Sequence, residues 1–257
     1  MIVKFLGAHN AESKTTRHVS ILIDDVLAVD SGCLTSELSF SEQEKLKAIL
    51  LTHGHYDHIR GVPVYIFNNM SRTTSVFATQ PTLDILSSHL VDGIIYPKFT
   101  GKDPPFLKKP SLKLVALEPY KTVNIAGYQV IPIPVNHAIG SVCFEITSKD
   151  GKKIFYTGDT GPGLSNLWKH VKPQLIILDV TFPNRLERWA KDAAHLCPKM
   201  LKKELEDFRR IKGYFPQVIL IHLSPKLEDE IKEEVKEVSK ELKLPIDIAF
   251  EGKKLIL

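Results

Sequence analysis

Residues 48–58 constrain this chain more than any other stretch. Ala48-Ile49-Leu50-Leu51 is a short apolar run of the kind that fills a buried strand. It leads into Thr52-His53-Gly54-His55-Tyr56-Asp57-His58, where Gly54 and the polar residues after it read as a loop. Three of the chain's ten histidines and one carboxylate therefore gather at a single strand tip. Neutral imidazole nitrogens beside an anion make a ligand set for zinc, or for iron or manganese. The plainer reading, a polar loop whose histidines cluster by chance, leaves four charge-capable groups at a strand end without a partner.

His-x-His-x-Asp-His after an apolar strand resembles the metallo-β-lactamase superfamily of binuclear metallohydrolases. The resemblance implies an α/β fold, a four-layer αβ/βα sandwich with two mixed β-sheets face to face and helices outside. Three later strand ends match the superfamily's order. Val135-Asn136-His137 ends one, Tyr156-Thr157-Gly158-Asp159-Thr160-Gly161 another, and Ile219-Leu220-Ile221-His222 a third. A lone histidine after a strand is ordinarily a core or turn residue, so the joint match is what counts. It implies that His53, His55 and His137 hold one metal ion, that Asp57, His58 and His222 hold the other, and that Asp159 bridges both. Such sites hold two divalent ions roughly 3.5–4 Å apart around a shared water. Zinc is the expected metal, and manganese or iron also accept these donors. Asp57 and Asp159 would help neutralise the two cations. Asp30, in Asp30-Ser31-Gly32, reads either as a support for the metal loop or as a turn former.

Composition narrows the setting. The chain has 257 residues, 43% hydrophobic and 25% charged, as a globular protein with a sizeable core has. A net charge of +4 is too mild to argue for nucleic acid and does not oppose an anionic substrate. Cys33, Cys143 and Cys197 form neither a Cys-x-x-Cys nor an even set, so disulfides and thiolate zinc sites are not indicated and a reducing cytoplasm is expected. No run approaches the roughly 18 apolar residues of a membrane span. With no repeat, linker or composition break, one domain over residues 1–257 is expected. The oligomeric state stays open, a homodimer included.

The rest of the chain reads as mixed α/β. Strands are expected at 2–6, 19–23, 26–29, 76–78, 113–117, 122–125, 128–135, 142–147, 154–156, 175–178, 218–221, 246–249 and 255–257. Helices are expected from 41, at 61–69, 81–90, near 185–191, at 198–210 and at 225–242. Residues 96–111 carry Pro97, Pro104, Pro105 and Pro110 among Lys98, Lys102, Lys108 and Lys109. They read as a solvated connection, or as a flap that brings lysines and Phe99 or Phe106 to an anionic, ring-bearing substrate.

A further segment points to a branch of the superfamily. Leu178-Asp179-Val180-Thr181-Phe182-Pro183-Asn184-Arg185 precedes Ala194-His195-Leu196-Cys197-Pro198, and His222-Leu223-Ser224-Pro225 follows. With Ile95-Tyr96-Pro97-Lys98-Phe99-Thr100 and Gly158-Asp159-Thr160-Gly161-Pro162, this is similar to class II cyclic-nucleotide phosphodiesterases. The resemblance implies a small anionic phosphodiester substrate, a 3′,5′-cyclic nucleotide cleaved to a nucleoside monophosphate. It also implies that His195 assists the leaving group, alongside Asp57 and Asp159 as catalytic residues; otherwise His195 merely packs near a helix start. One alternative is a tRNA 3′-processing endonuclease, the only reading in which nucleic acid is the partner. Another is a thioester or lactone hydrolase, in which His195 would be idle.

Overall fold

The computed structural model describes residues 1–101 and 109–257. Two seven-stranded mixed sheets face each other. The first holds β1 (Ile2–Gly7), β2 (Ser20–Ile23), β3 (Leu27–Val29), β4 (Ala48–Leu50), β5 (Thr74–Ala78) and β6 (Leu112–Ala116). The second holds β7 (Val123–Ile125), β8 (Tyr128–Pro134), β9 (Val142–Thr147), β10 (Lys153–Tyr156), β11 (Leu175–Asp179), β12 (Gln217–Ile221) and β13 (Ile246–Ile248). The last strand, β14 (Lys254–Ile256), returns to the first sheet and pairs antiparallel with β1.

Strict alternation of apolar side chains builds the layers. In β4, Ala48 and Leu50 face the other sheet while Ile49 faces the helices. In β11, Leu175 and Ile177 point between the sheets and Ile176 and Leu178 point outward. A strand buried on both faces needs an unbroken apolar run, which explains Leu175-Ile176-Ile177-Leu178 and Val218-Ile219-Leu220-Ile221. Helices cover the outer faces. Gly61–Asn68 and Gln80–His89 pack outside the first sheet, and Pro198–Lys212 and Glu228–Leu242 outside the second. The four-layer expectation is thus met.

Strand direction positions the site. β3, β4, β5 and β6 run parallel in the first sheet. β10, β11, β12 and β13 run parallel in the second, and β8 shares their direction through two antiparallel steps at β9. The C-terminal ends of β4, β8, β10, β11 and β12 carry the polar residues singled out above. Such ends are where α/β sheets open a crevice for ligands.

Two expectations need correction. The stretch after His55 is not a loop, because Tyr56–Ile59 forms a helical turn with His55 as its N-cap. Phe99 does not reach toward a substrate; it is fully buried in the core outside the first sheet. Lys98 and Lys109 are exposed, whereas Lys102, Phe106 and Lys108 lie outside the described residues. Among the described residues no helix is long and apolar enough to cross a membrane.

Candidate metal centre

All seven candidate ligands converge. His53, His55, His137 and Asp159 form one group and Asp57, His58, Asp159 and His222 a second, each with its ligand atoms within 4.8 Å of one another. Asp159 belongs to both. Its Oδ2 lies 3.6 Å from His53 Nε2, 3.6 Å from His137 Nε2 and 3.3 Å from His222 Nε2, and its Oδ1 lies 3.2 Å from His58 Nε2. Asp57 Oδ2 is 3.3 Å from His222 Nε2 and 3.6 Å from His58 Nε2. The helical turn at 56–59 makes this grouping, since it turns Asp57 and His58 away from the extended His53-Gly54-His55.

The residues fit cations. His53 Nε2, His58 Nε2 and Asp159 Oδ1 are buried without a hydrogen-bond partner. Orphaned polar atoms of this kind are costly unless something fills the space between them. On four of the rings the other nitrogen is tied down. His53 Nδ1 meets Thr52 Oγ1 at 3.0 Å, His58 Nδ1 meets Asp30 Oδ2 at 2.8 Å, His137 Nδ1 meets Ala194 O at 3.0 Å and His222 Nδ1 meets Thr181 Oγ1 at 2.8 Å. Outer partners of this sort fix ring orientation and aim the free nitrogen inward.

Charge follows the same division. Burial holds His53, His55 and His137 below the ordinary histidine range, with His53 furthest down, so their lone pairs are available. Burial also pushes His58 and His222 down, but neighbouring carboxylates outweigh it. Asp159 and Asp30 raise His58 well above its usual range, and Asp159, Asp179 and Asp57 raise His222 to about 10. A cation held between these rings and the acids would compete with the rings' protons, so metal binding should release them.

The backbone is strained where the site needs it. Asp30 and His222 adopt positive φ (57° and 68°), a region that costs a non-glycine residue about 1–3 kcal/mol. Gly158 adopts the same region, and a Cβ there would lie 2.8 Å from Thr52 Cβ, so the Asp159 and His53 loops approach as closely as glycine permits.

Asp30 takes the supporting place. It is fully buried and accepts from Thr52 N (2.9 Å), Thr52 Oγ1, His58 Nδ1 and Tyr156 OH (2.8 Å). Asp30→Ala should cost about 3–5 kcal/mol of unfolding free energy, as broken buried charge networks do. It should also weaken metal affinity about 10–100-fold. Denaturant unfolding and metal titration read the two effects; an unchanged affinity would relegate Asp30 to a turn former.

Asp179 escaped the sequence reading as a site residue. It ends β11, fully buried, and its Oδ2 lies 2.7 Å from His195 Nδ1 while its Oδ1 accepts from Thr181 Oγ1 at 2.6 Å. The signal was there, an acid at the tip of an apolar strand, as at Asp159. Asp179, His195 and His222 also gather within metal-ligating distance. The Nδ1 atoms of His195 and His222 are already hydrogen-bonded, so the trio serves as a brace. Burial lowers the His195 pKa, yet the Asp179 carboxylate more than offsets this and raises it. The His195 ring stacks on His222 with centroids 5.2 Å apart and lies 4.9 Å from that of His137.

The fold and this donor set define a metal-dependent hydrolase. Residues 20–223 match the beta-lactamase superfamily domain, and the chain belongs to that family. It is similar to 3′,5′-cyclic-nucleotide phosphodiesterase 1 of Saccharomyces cerevisiae, with 30% identity over 96 residues, 35% of this chain and 25% of the yeast protein. A metal-dependent hydrolase of Methanobrevibacter smithii is 28% identical over 63% of this chain and 61% of its own. In both cases the match spans less than two thirds of the relative. The crystal structure of unliganded yeast PDE1 superimposes with a TM-score of 0.82 at 20% identity, covering 100% of this chain and 99% of that one.

Proposed function

We propose that this chain is a phosphodiesterase that uses two divalent ions to hydrolyse a small anionic phosphodiester, a 3′,5′-cyclic nucleotide, to a nucleoside monophosphate. The observation that carries the reading is the Asp179–His195 pair set against the seven converging donors. A hydrolase of activated esters has no need of a second, carboxylate-braced histidine beside its metal ligands. A phosphodiester has such a need, because its departing alkoxide is a strong base.

His53, His55 and His137 would hold one ion, Asp57, His58 and His222 the other, and Asp159 would touch both. When bound, these ions supply a water whose pKa is lowered toward 7 and positive charge for the phosphoryl oxygens. The zinc preference, with manganese or iron as substitutes, rests on this nitrogen-rich, thiolate-free donor set. Asp57 and Asp159 would offset part of the ions' positive charge. His195, braced through Nδ1 by Asp179, whose carboxylate raises its pKa, would present Nε2–H to the bond being broken. As the bond from phosphorus to the 3′ oxygen opens, that oxygen takes the His195 proton. The buried free thiols Cys33, Cys143 and Cys197 support placing it in a reducing cytoplasm. We also take residues 1–257 as one domain, since both sheets contribute ligands.

The test is steady-state hydrolysis of cyclic AMP, cyclic GMP and bis-p-nitrophenyl phosphate by metal-loaded protein. Activity on at least one is expected, and inactivity on all three ends the proposal. A second reading, a tRNA 3′-processing endonuclease, draws on a ribonuclease Z of Thermoplasma acidophilum, 22% identical over 82% of this chain and 81% of that protein. It predicts cleavage of precursor tRNA, weakening steeply with salt.

A further inference from the structure

Trp189 is 63% exposed, an unusual position for a side chain with so much apolar surface. It sits on the helix Glu187–Asp192, ten residues beyond Asp179 at the β11 tip. Its ring lies nearly parallel to that of Phe182, with centroids 6.2 Å apart and 26° between the planes. Phe182 in turn meets His195 edge-on at 5.9 Å. A continuous aromatic row thus runs outward from the metal ligands through His222, His195 and Phe182 to Trp189.

Beside Trp189 lies an open hollow of about 580 Å³, lined by Arg185, Leu186, Arg188, Trp189 and Asp192. Arg185 is engaged, with Nε 3.0 Å from both Glu230 carboxylate oxygens. Arg188 is not held so closely. Its nearest recorded carboxylate, Asp192, is 3.8 Å away, and its side chain is 96% exposed. An indole face, an aliphatic neighbour and a loosely held guanidinium suit a flat heteroaromatic group joined to an anion.

The direction of the row says which part of the substrate it meets. On the phosphodiesterase reading His195 serves the departing oxygen, so the sugar and base that oxygen carries lie toward the neighbours of His195. Those are Phe182 and, beyond it, Trp189. We propose that Phe182 and Trp189 form the platform on which the nucleobase of the substrate rests, and that Trp189 makes the enzyme prefer diesters bearing a base. The proposal rests on the phosphodiesterase reading and deepens it.

The chain has two tryptophans, and the other, Trp168, is fully buried, so ligand-dependent changes in emission report on Trp189. Metal-loaded protein is titrated with AMP and with ribose 5-phosphate, which has the phosphate and sugar but no base. AMP is expected to quench the emission and bind more tightly. The AMP to ribose 5-phosphate affinity ratio should fall about 5–150-fold in Trp189→Ala, the range for a lost base stack, and recover largely in Trp189→Phe. With cyclic AMP the loss should fall on KM rather than kcat. Equal affinity of the parent for both ligands, or an unchanged ratio in Trp189→Ala, overturns the platform. If no diester is hydrolysed while the AMP preference persists and depends on Trp189, the catalytic reading fails and the platform stands.

Discussion

Asp159→Ala is expected to lower kcat/KM for a phosphodiester by about 10³-fold or more. The reason is its double membership. Removing one preorganised electrostatic contact from a reaction centre costs about 10²–10³-fold. Asp159 supplies such a contact to both donor groups, through Oδ1 toward His58 and through Oδ2 toward His53, His137 and His222. Burial alone would raise its pKa, but His222, His58 and His53 hold it well below the carboxylate range, which favours the anion a metal ion needs. Its loss leaves five imidazoles facing one another with only Asp57 to offset a pair of cations. Elemental analysis should then find less than the parent's metal content. The same variant should lose the stabilisation that metal gives the parent. A site saturated at 100 times its Kd contributes about 2.7 kcal/mol, which EDTA should remove from the parent and scarcely change in Asp159→Ala. A variant with parental metal content and parental activity would dismantle the shared-carboxylate site.

Much of this centre could be read from the sequence because burial writes it there. A strand covered on both faces has to be apolar along its length, so the first polar residues after it mark its tip. His53, Asp159 and His222 each follow such a run, His137 follows the alternating strand β8, and the structure gathers all four. Asp179 carried the same mark after Leu175-Ile176-Ile177-Leu178, but its importance comes from a neighbour. The pair forms because Ala194, at φ 54°, turns the chain so that His195 returns to the β11 tip. Nothing in the spacing of residues 179 and 195 announces that return. Likewise, the helical turn at 56–59 is too short to carry a periodic pattern. Phe99 shows the opposite failure: the prolines around it argued for an exposed stretch, yet the ring closes the core beneath Leu112 and the helix Gly61–Asn68. Aromatic surface wins over local chain irregularity once an apolar cavity is within reach.

His195→Ala is expected to separate two kinds of substrate. On a cyclic nucleotide, whose 3′ alcohol is a poor leaving group, the loss should reach about 10²–10⁴-fold in kcat, the usual share of a positioned general acid. On bis-p-nitrophenyl phosphate the departing phenolate needs no proton, and the loss should be far smaller. The difference distinguishes proton donation from mere packing. His195 touches both metal-ligand groups through its rings' contacts with His137 and His222, so a purely structural role would depress both substrates alike. Asp179→Asn should follow the same selectivity, since it removes the anion that raises the His195 pKa. Its overall loss should be broader, because Asp179 also accepts from Thr160 N and Thr181 Oγ1 and so braces the Asp159 loop and, through Thr181, the His222 ring. Equal losses on the two substrates in His195→Ala would take His195 out of the chemistry and return the site to one that serves activated esters.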